Sequence, residues 1–236
     1  MRSPGHAYCA KPDADAIAAA AVELLGDSSD ALMIFIAEEG EPDLTKIVEG
    51  LRAATSSPCF GGLFPELLAS GHRVERGALL LRIPQLAEPL AILDFEAAHE
   101  PLASLATKLR ERPQTDTLLV LVDGLAPAIS SLLEATYDEF GDHVRYWGGG
   151  AGTSDFVRRP CLFSSEAGVL DGGALVVATS LHASLGVHHG WRPLEGPLVV
   201  TRAEATPSTS STGSRPPRST PSTSGSTSVA SSRSTS

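Results

Sequence analysis

Unbroken apolar runs alternate with amphipathic segments along the first two thirds of the chain. Residues 31–37 (ALMIFIA) and 117–122 (TLLVLV) contain almost no polar side chain, which is typical of strands buried on both faces. Residues 43–55 carry Leu44, Ile47, Val48 and Leu51 at helical spacing, so one face of a helix is apolar. The same kind of pattern predicts further helices from Asp13 or Asp15 to Leu25, where Gly26 ends the helix, and over residues 99–112 and 125–140. The chain is therefore expected to open as helix, strand, helix.

A weak internal duplication follows from the order of these segments. ALMIFIA, a helix and PCFGGLF in the first part match TLLVLVD, a helix and VRYWGGGAG in the second. Each copy places an apolar strand before a helix and a glycine-rich turn after the next strand, which predicts two weakly repeated α/β halves around shared sheets. Further strands are expected over residues 78–83 and 90–95, and a β-rich part over residues 161–165, 173–182, 184–190 and 197–201. The fold class is α/β (α+β) with mixed sheets and helices.

The composition changes abruptly after residue 204. Residues 205–236 consist mainly of Ser, Thr, Pro and Arg, with no acid, no aromatic residue and Val229 as the only branched aliphatic side chain. Such a segment buries too little apolar area to offset its chain entropy. We therefore expect one folded domain over residues 1–204 and a disordered tail over residues 205–236.

Charge and cysteine content narrow the class of protein. All 28 acidic residues precede residue 205 and meet only 15 Lys and Arg there, a net charge of −13, against −10 for the whole chain. An acidic body repels phosphate backbones, so nucleic acid is not an expected partner. Three isolated cysteines without a CxxC motif, and no run long enough to span a membrane, predict a cytoplasmic protein with reduced thiols and no membrane partner.

The glycines after two predicted strands are the first candidates for ligand contact. Gly148, Gly149, Gly150 and Gly152 can bring backbone N–H groups close to a carboxylate or phosphate, with Thr153 directly after them. Gly61 and Gly62 stand at the equivalent place in the first copy. The structural alternative is a tight turn where two backbones approach, and the spacing fits no nucleotide-binding motif.

Residues with metal-binding or catalytic chemistry form no recognisable motif. His188 and His189 would point to opposite faces of a strand, so with His182 they make a poor chelating set, and no metal or cofactor is predicted. No GxSxG is present, and neither Cys59 nor Cys161 has an assigned histidine partner. The chain is not predicted to be an enzyme.

Three segments occur in an order that resembles the N-terminal region of FIST domains. They are PCFGGLFPELLASG, YWGGGAGTSDF and DGGALVVATSLHASLGVHHGWRPLEGPLVVTRAE, and GWRPL with the following VVT is the most specific element. The resemblance spans roughly residues 15–204 and implies an intracellular sensory domain of signal transduction that binds a small ligand such as an amino acid. It adds Trp191 and Arg192 to the candidate site, since an indole wall and a guanidinium fork suit a carboxylate ligand. The alternative is that Trp191 locks a turn.

The resemblance ends where the tail begins. FIST family members continue through a segment like Glu-Leu-Asp-Gly-x-Pro-Ala into a C-terminal FIST portion, so this chain has a truncated family architecture. Back-translation of residues 208–213 into GC-rich codons and a shift of one base give Val-Tyr-Glu-Leu-Asp-Gly. Two explanations therefore stay open, a frame-shifted continuation and a true low-complexity tail, and the gene sequence after codon 204 distinguishes them.

Three functional hypotheses follow. The first is a cytoplasmic FIST-type sensor that binds a small polar ligand, such as an amino acid, without turnover and signals through a separate output protein. The second is a hydrolase or transferase in which the glycine turn forms an oxyanion pocket, which requires a Ser or Cys beside Gly149 within reach of a histidine. The third is a non-functional truncated gene product with open strand edges.

Overall fold

The two unbroken apolar runs form the central strands of two sheets in the computed structural model, which describes residues 5–84, 88–110, 115–186 and 192. The chain divides into two units, Met1–Trp191 and Arg192–Ser236, and Arg192 is the one described residue of the second. All helices and strands of the described residues belong to the first unit. In chain order they are β1 (His6–Cys9), α1 (Ala14–Leu25), β2 (Ala31–Ala37), α2 (Leu44–Ala54), β3 (Cys59–Phe64), β4 (Leu67–Ala69), β5 (His72–Val74), β6 (Ala78–Ile83), β7 (Leu90–Ile92), α3 (His99–Arg110), β8 (Thr117–Asp123), α4 (Ile129–Phe140), β9 (Arg145–Ala151), β10 (Leu162–Ser164), β11 (Gly168–Leu170) and β12 (Ala174–Thr179).

Capping residues place the first two helices where the sequence predicts them. The Asp13 side chain accepts a hydrogen bond from the Ala16 amide at 2.9 Å, and Gly26 follows the last residue of α1. At α2, the Asp43 side chain accepts from the amides of Thr45 and Lys46, both at 3.1 Å. The apolar face of α2 is buried as predicted, through Leu44, Ile47, Val48 and Leu51.

The sheets repeat one arrangement twice. The first sheet has the order β1-β6-β2-β3-β10-β11 and the second the order β7-β12-β8-β9. In the first, β2 is parallel to β3 and antiparallel to β6, while in the second β8 is parallel to β9 and antiparallel to β12. The first half (β1 to β6) and the second half (β7 to β12) therefore share one strand order, which confirms the predicted duplication and the α/β class with mixed sheets.

Side chains of β8 alternate between two buried layers. Leu119 and Leu121 belong to the cluster that includes Met33 of β2 and the apolar faces of α1 and α2. Leu118, Val120 and Val122 belong to a second cluster with α3 and α4. Because successive strand residues point to opposite faces, the two sheets pack against each other and the helix pairs cover their outer faces.

Several predicted boundaries were wrong. The chain opens with strand β1, whose short alternating sequence gives no apolar run and which is fixed by antiparallel pairing with β6. Helix α4 begins at Ile129 and not at residue 125, because Asp123 holds a turn through the Leu125 amide and Pro127 disfavours helical geometry in the residue before it.

The C-terminal predictions are only partly covered by the described residues. The strand predicted over 184–190 is wrong for residues 184–186, which are not in a strand, and its remainder lies outside the described residues. The predicted strand 197–201, the domain boundary at 204 and the tail 205–236 also lie outside them.

Candidate functional site

A cavity of about 400 Å³ lies between helix α4 and the edge of the second sheet. Such a volume lies within the range of about 300–1,000 Å³ that is usual for small-molecule sites. Helix α4 supplies one wall, and β9 with its neighbour β8 supplies the other. The lining residues are Val120, Val122, Ile129, Leu133, Thr136, Tyr137, Tyr146, Trp147, Gly148, Gly149, Gly150 and Leu185.

Three consecutive glycines of β9 line this cavity. Tyr146 packs on the cluster of α3 and α4, whereas Trp147 packs on the cluster between the sheets. By strand alternation, Gly148 and Gly150 lie on the same face as Tyr146, towards α4. Since neither has a side chain, their exposed backbone itself forms part of the cavity wall.

The predicted glycine-rich turns were wrong, because all three consecutive glycines lie inside strand β9 and Gly61 and Gly62 lie inside β3. The reason is the close approach of neighbouring strands. A Cβ on Gly148 would lie 1.8 Å from the carbonyl oxygen of Val120, and one on Gly61 would lie 1.8 Å from that of Ile34. Only glycine allows this spacing, so glycine marks strand contact here and not a turn.

Two side-chain hydroxyls of the lining, those of Thr136 and Tyr146, already donate hydrogen bonds within the protein. Thr136 donates to the Leu132 carbonyl at 2.7 Å, and Tyr146 donates to the Gly141 carbonyl at 2.5 Å. Burial, with smaller contributions from Tyr137 and Asp142, raises the pKa of Tyr146, so its hydroxyl stays protonated at neutral pH. The backbone of β9 can therefore supply hydrogen-bonding groups that these two hydroxyls do not.

Strand β9 is an open edge among the described elements, since β8 is the one strand that pairs with it there. The Arg145 amide donates to the Asp116 carbonyl, and the Gly124 amide donates to the Ala151 carbonyl, both at 2.9 Å and both on the β8 side. Main-chain groups alternate in direction along a strand. The N–H and C=O groups that point away from β8 are consequently those of Tyr146, Gly148 and Gly150.

The residues after β9 form a hydrogen-bonded polar corner. Gly152 donates its amide to the Leu63 carbonyl at 2.9 Å, which joins the end of β9 to β3. Thr153 is buried and donates to the Asp155 carboxylate at 2.6 Å. That hydrogen bond is the main reason that the pKa of Asp155 is lowered. The Thr153 hydroxyl is thus engaged within the loop.

Gly61 and Gly62, predicted for the first copy, are not among the residues that line the cavity. Gly61 and Gly62 are buried in β3, although a Cβ on Gly62 would lie 3.1 Å from that of Ala151 at the end of β9. Arg192 is exposed, and Trp191 lies outside the described residues. A ligand contact by any of the predicted residues stays a prediction.

Sequence reasoning missed the contribution of α4 to the cavity. Leu133 and Tyr137 are 53% and 58% exposed and stand four residues apart, on one face of the helix. Leu185 is also exposed and lines the same cavity. The sequence signal was two large side chains four residues apart in the predicted helix, Leu133 and Tyr137. The same spacing is typical of a buried helix face, so it did not identify a cavity rim.

The three cysteines are expected to differ sharply in reactivity. Burial raises the pKa of Cys59 and of Cys161 to about 12, so both stay protonated until the pH approaches that value, whereas Cys9 is half-buried. Iodoacetamide at pH 8 should therefore label Cys9 alone in the native protein and all three cysteines in urea, as read by mass spectrometry. Labelling of Cys59 or Cys161 to the same extent as Cys9 in the native protein would contradict this prediction.

Within the part of the chain that the structure describes, no group of three or more His, Cys, Asp or Glu side chains could hold a metal ion. None of the described helices combines the length and the apolar character needed to cross a membrane.

The sequence matches the family model of the FIST N domain over residues 30–206. The chain belongs to the FIST family, whose domains are sensory domains of signal transduction. The match includes both glycine-containing strands and all of α4. No curated protein and no solved structure matches the chain.

Proposed function

We propose that this sensory domain binds an amino acid with a large apolar side chain in the cavity between α4 and β9, without turnover. The observation that carries the proposal is the combination of an apolar cavity with a strand edge whose backbone groups are directed outward beside it. Binding of the ligand would be signalled to a separate output protein.

The main chain of an amino acid is complementary to the exposed backbone of β9. Its carboxylate can accept from the outward N–H of Gly148 or Gly150, and its ammonium group can donate to an outward carbonyl such as that of Tyr146. Glycine at these positions leaves the backbone accessible at close range. This polar recognition agrees with the polar ligand class that the family resemblance implies.

The side chain of the ligand would enter the space between the glycines and α4. Val120, Val122 and Ile129 form the apolar interior, and Leu133 with Tyr137 forms the rim. Covering this surface with a leucine or phenylalanine side chain removes apolar area from water, which is the main source of affinity at such sites. A serine or aspartate side chain would leave the cavity unfilled.

A thermal-shift series tests the proposal directly. Phenylalanine and leucine should raise the melting temperature, because a ligand at a hundredfold excess over its Kd adds about 2.7 kcal/mol to the free energy of unfolding. Serine and aspartate share the same main chain and should have little effect. An unchanged melting temperature with every amino acid would refute the proposal.

A pair of variants locates the binding site. Leu133→Ser removes an apolar rim residue and should weaken binding by roughly tenfold. Leu125→Ser is the matched control, because Leu125 is also an exposed leucine but does not line the cavity. Equal effects of the two variants would place the ligand elsewhere.

The hydrolase alternative gains no support from this geometry. It needs a Ser or Cys beside Gly149 within reach of a histidine, and the cavity lining among the described residues contains none of these three residue types.

A further inference from the structure

Strands β3 and β9 occupy the same place in the two halves. Each is the parallel neighbour of a central strand and follows it through one helix. Gly61 pairs with Ile34 in the first half and Gly148 pairs with Val120 in the second, and both glycines approach the facing carbonyl equally closely. The outer edge of β3 is therefore the structural equivalent of the outer edge of β9.

The edge of β3 is covered by an antiparallel strand, β10. The Leu63 amide donates to the Cys161 carbonyl at 2.7 Å, and the Ser165 amide donates to the Cys59 carbonyl at 2.6 Å. Phe163 stands directly opposite Gly61 in this register. The first half thus shows how such an edge binds a strand.

Phe163 is a large buried side chain paired with Gly61 across the edge of β3. Residues directly opposite each other in an antiparallel pair share a face, and the Phe163 side chain is fully buried there. Helix α2 packs on β10 and β11 at this place. In the second half, the equivalent space beside Gly148 and α4 is the cavity of about 400 Å³.

The hairpin of the first half does not cover β9. The β4–β5 hairpin follows β3 in the first half, and the β10–β11 hairpin follows β9 in the second. The connection from β3 to β4 consists of residues 65–66 alone, whereas the connection from β9 to β10 consists of residues 152–161. The short connection holds β4 beside β2 and β6. Among the described elements, β9 is consequently left with a free edge and an empty side-chain space.

We propose that the edge of β9 binds an extended peptide of a partner protein as an added antiparallel strand, with a large aromatic side chain opposite Gly148. The inference rests on the proposed function, because it uses the same cavity and names the ligand as a residue within a peptide. Pairing with the outward groups of Tyr146, Gly148 and Gly150 engages about five peptide residues, or roughly 17 Å of strand. The acidic body, with 28 acids against 15 Lys and Arg over residues 1–204, favours a neutral or basic peptide.

The test uses a peptide with the sequence of β10 and its flanking residues. The peptide acetyl-Ser-Leu-Phe-Ser-Ser-amide reproduces residues 161–165, with serine in place of Cys161 and with both ends uncharged. Calorimetric titration of the full chain should show binding. Replacement of the phenylalanine by alanine, or methylation of its backbone nitrogen, should each weaken binding by about tenfold. The two changes remove the side chain and the strand hydrogen bond separately.

The outcomes separate this inference from the proposed function. Binding of the blocked peptide that depends on both the aromatic ring and the backbone N–H supports strand recognition. Leu133→Ser should weaken that binding, whereas Leu125→Ser should leave it unchanged. If free phenylalanine stabilises the protein and the blocked peptide does not bind, strand recognition is refuted and amino acid binding stands. If neither binds, both are refuted.

Two other outcomes also overturn strand recognition by a partner peptide. Equal binding of the N-methylated peptide and the parent peptide would exclude backbone pairing with the edge of β9. A protein that dimerises with rising concentration, and no longer binds the peptide as a dimer, would show that a second copy covers the edge.

Discussion

Alanine at Gly61 or at Gly148 is expected to unfold the protein or to lower its free energy of unfolding by at least about 4 kcal/mol. In each case the new Cβ would lie 1.8 Å from a carbonyl oxygen, that of Ile34 or that of Val120. These oxygens belong to buried central strands with neighbours on both sides. Neither can move away without breaking the ladder to the next strand, so the clash has no inexpensive relief.

Gly149→Ala is the matched control for this prediction. A Cβ at Gly149 meets no atom within 4 Å, although the residue is the direct neighbour of Gly148 in the same strand. We expect its free energy of unfolding to change by less than about 1 kcal/mol. Urea unfolding followed by circular dichroism measures all three variants, and equal losses for Gly148→Ala and Gly149→Ala would contradict the close-approach explanation.

Phe163→Ala is expected to cost about 3–5 kcal/mol, the usual range for removing a fully buried phenylalanine. Phe163 of β10, the strand that covers the edge of β3 and on which α2 packs, stands opposite Gly61. Its loss leaves a cavity that glycine cannot fill from the facing strand. The first half would then have an open edge and an empty space like those that the described residues show beside β9.

Phe156→Ala provides the comparison, because Phe156 is 79% exposed and should change the free energy of unfolding by no more than about 0.5 kcal/mol. Guanidinium titration of both variants gives the two values. A loss at Phe163 as small as that at Phe156 would show that β10 is not required to cover β3.

Local sequence patterns predicted the central elements well. Residues 31–37 form β2 with the predicted bounds, and Asp13 and Gly26 flank α1. These features depend on side chains close in sequence, such as a capping carboxylate or an unbroken apolar run. The duplicated strand, helix, strand order was visible for the same reason.

Local patterns could not predict which strand pairs with the outer edge of β3. The strand that covers β3 comes about a hundred residues later in the chain, and the pattern of residues 59–64 does not specify it. The glycines were assigned to turns because a turn and a close strand contact both require glycine. The exposure of Leu133 and Tyr137 on the helix predicted over residues 125–140 was likewise not predicted, because helical periodicity does not show which positions a neighbouring element covers.

The amino-acid sequence by itself determined the α/β class, the repeated halves, the family resemblance and the glycines of the candidate site. Tertiary structure alone decided that these glycines lie in strands, that β10 covers β3, and that the equivalent space beside Gly148 is a cavity. The physical reason is the separation along the chain of the residues that interact. Helix caps and apolar runs act between neighbouring residues, whereas a strand edge is satisfied or left open by segments far away along the chain.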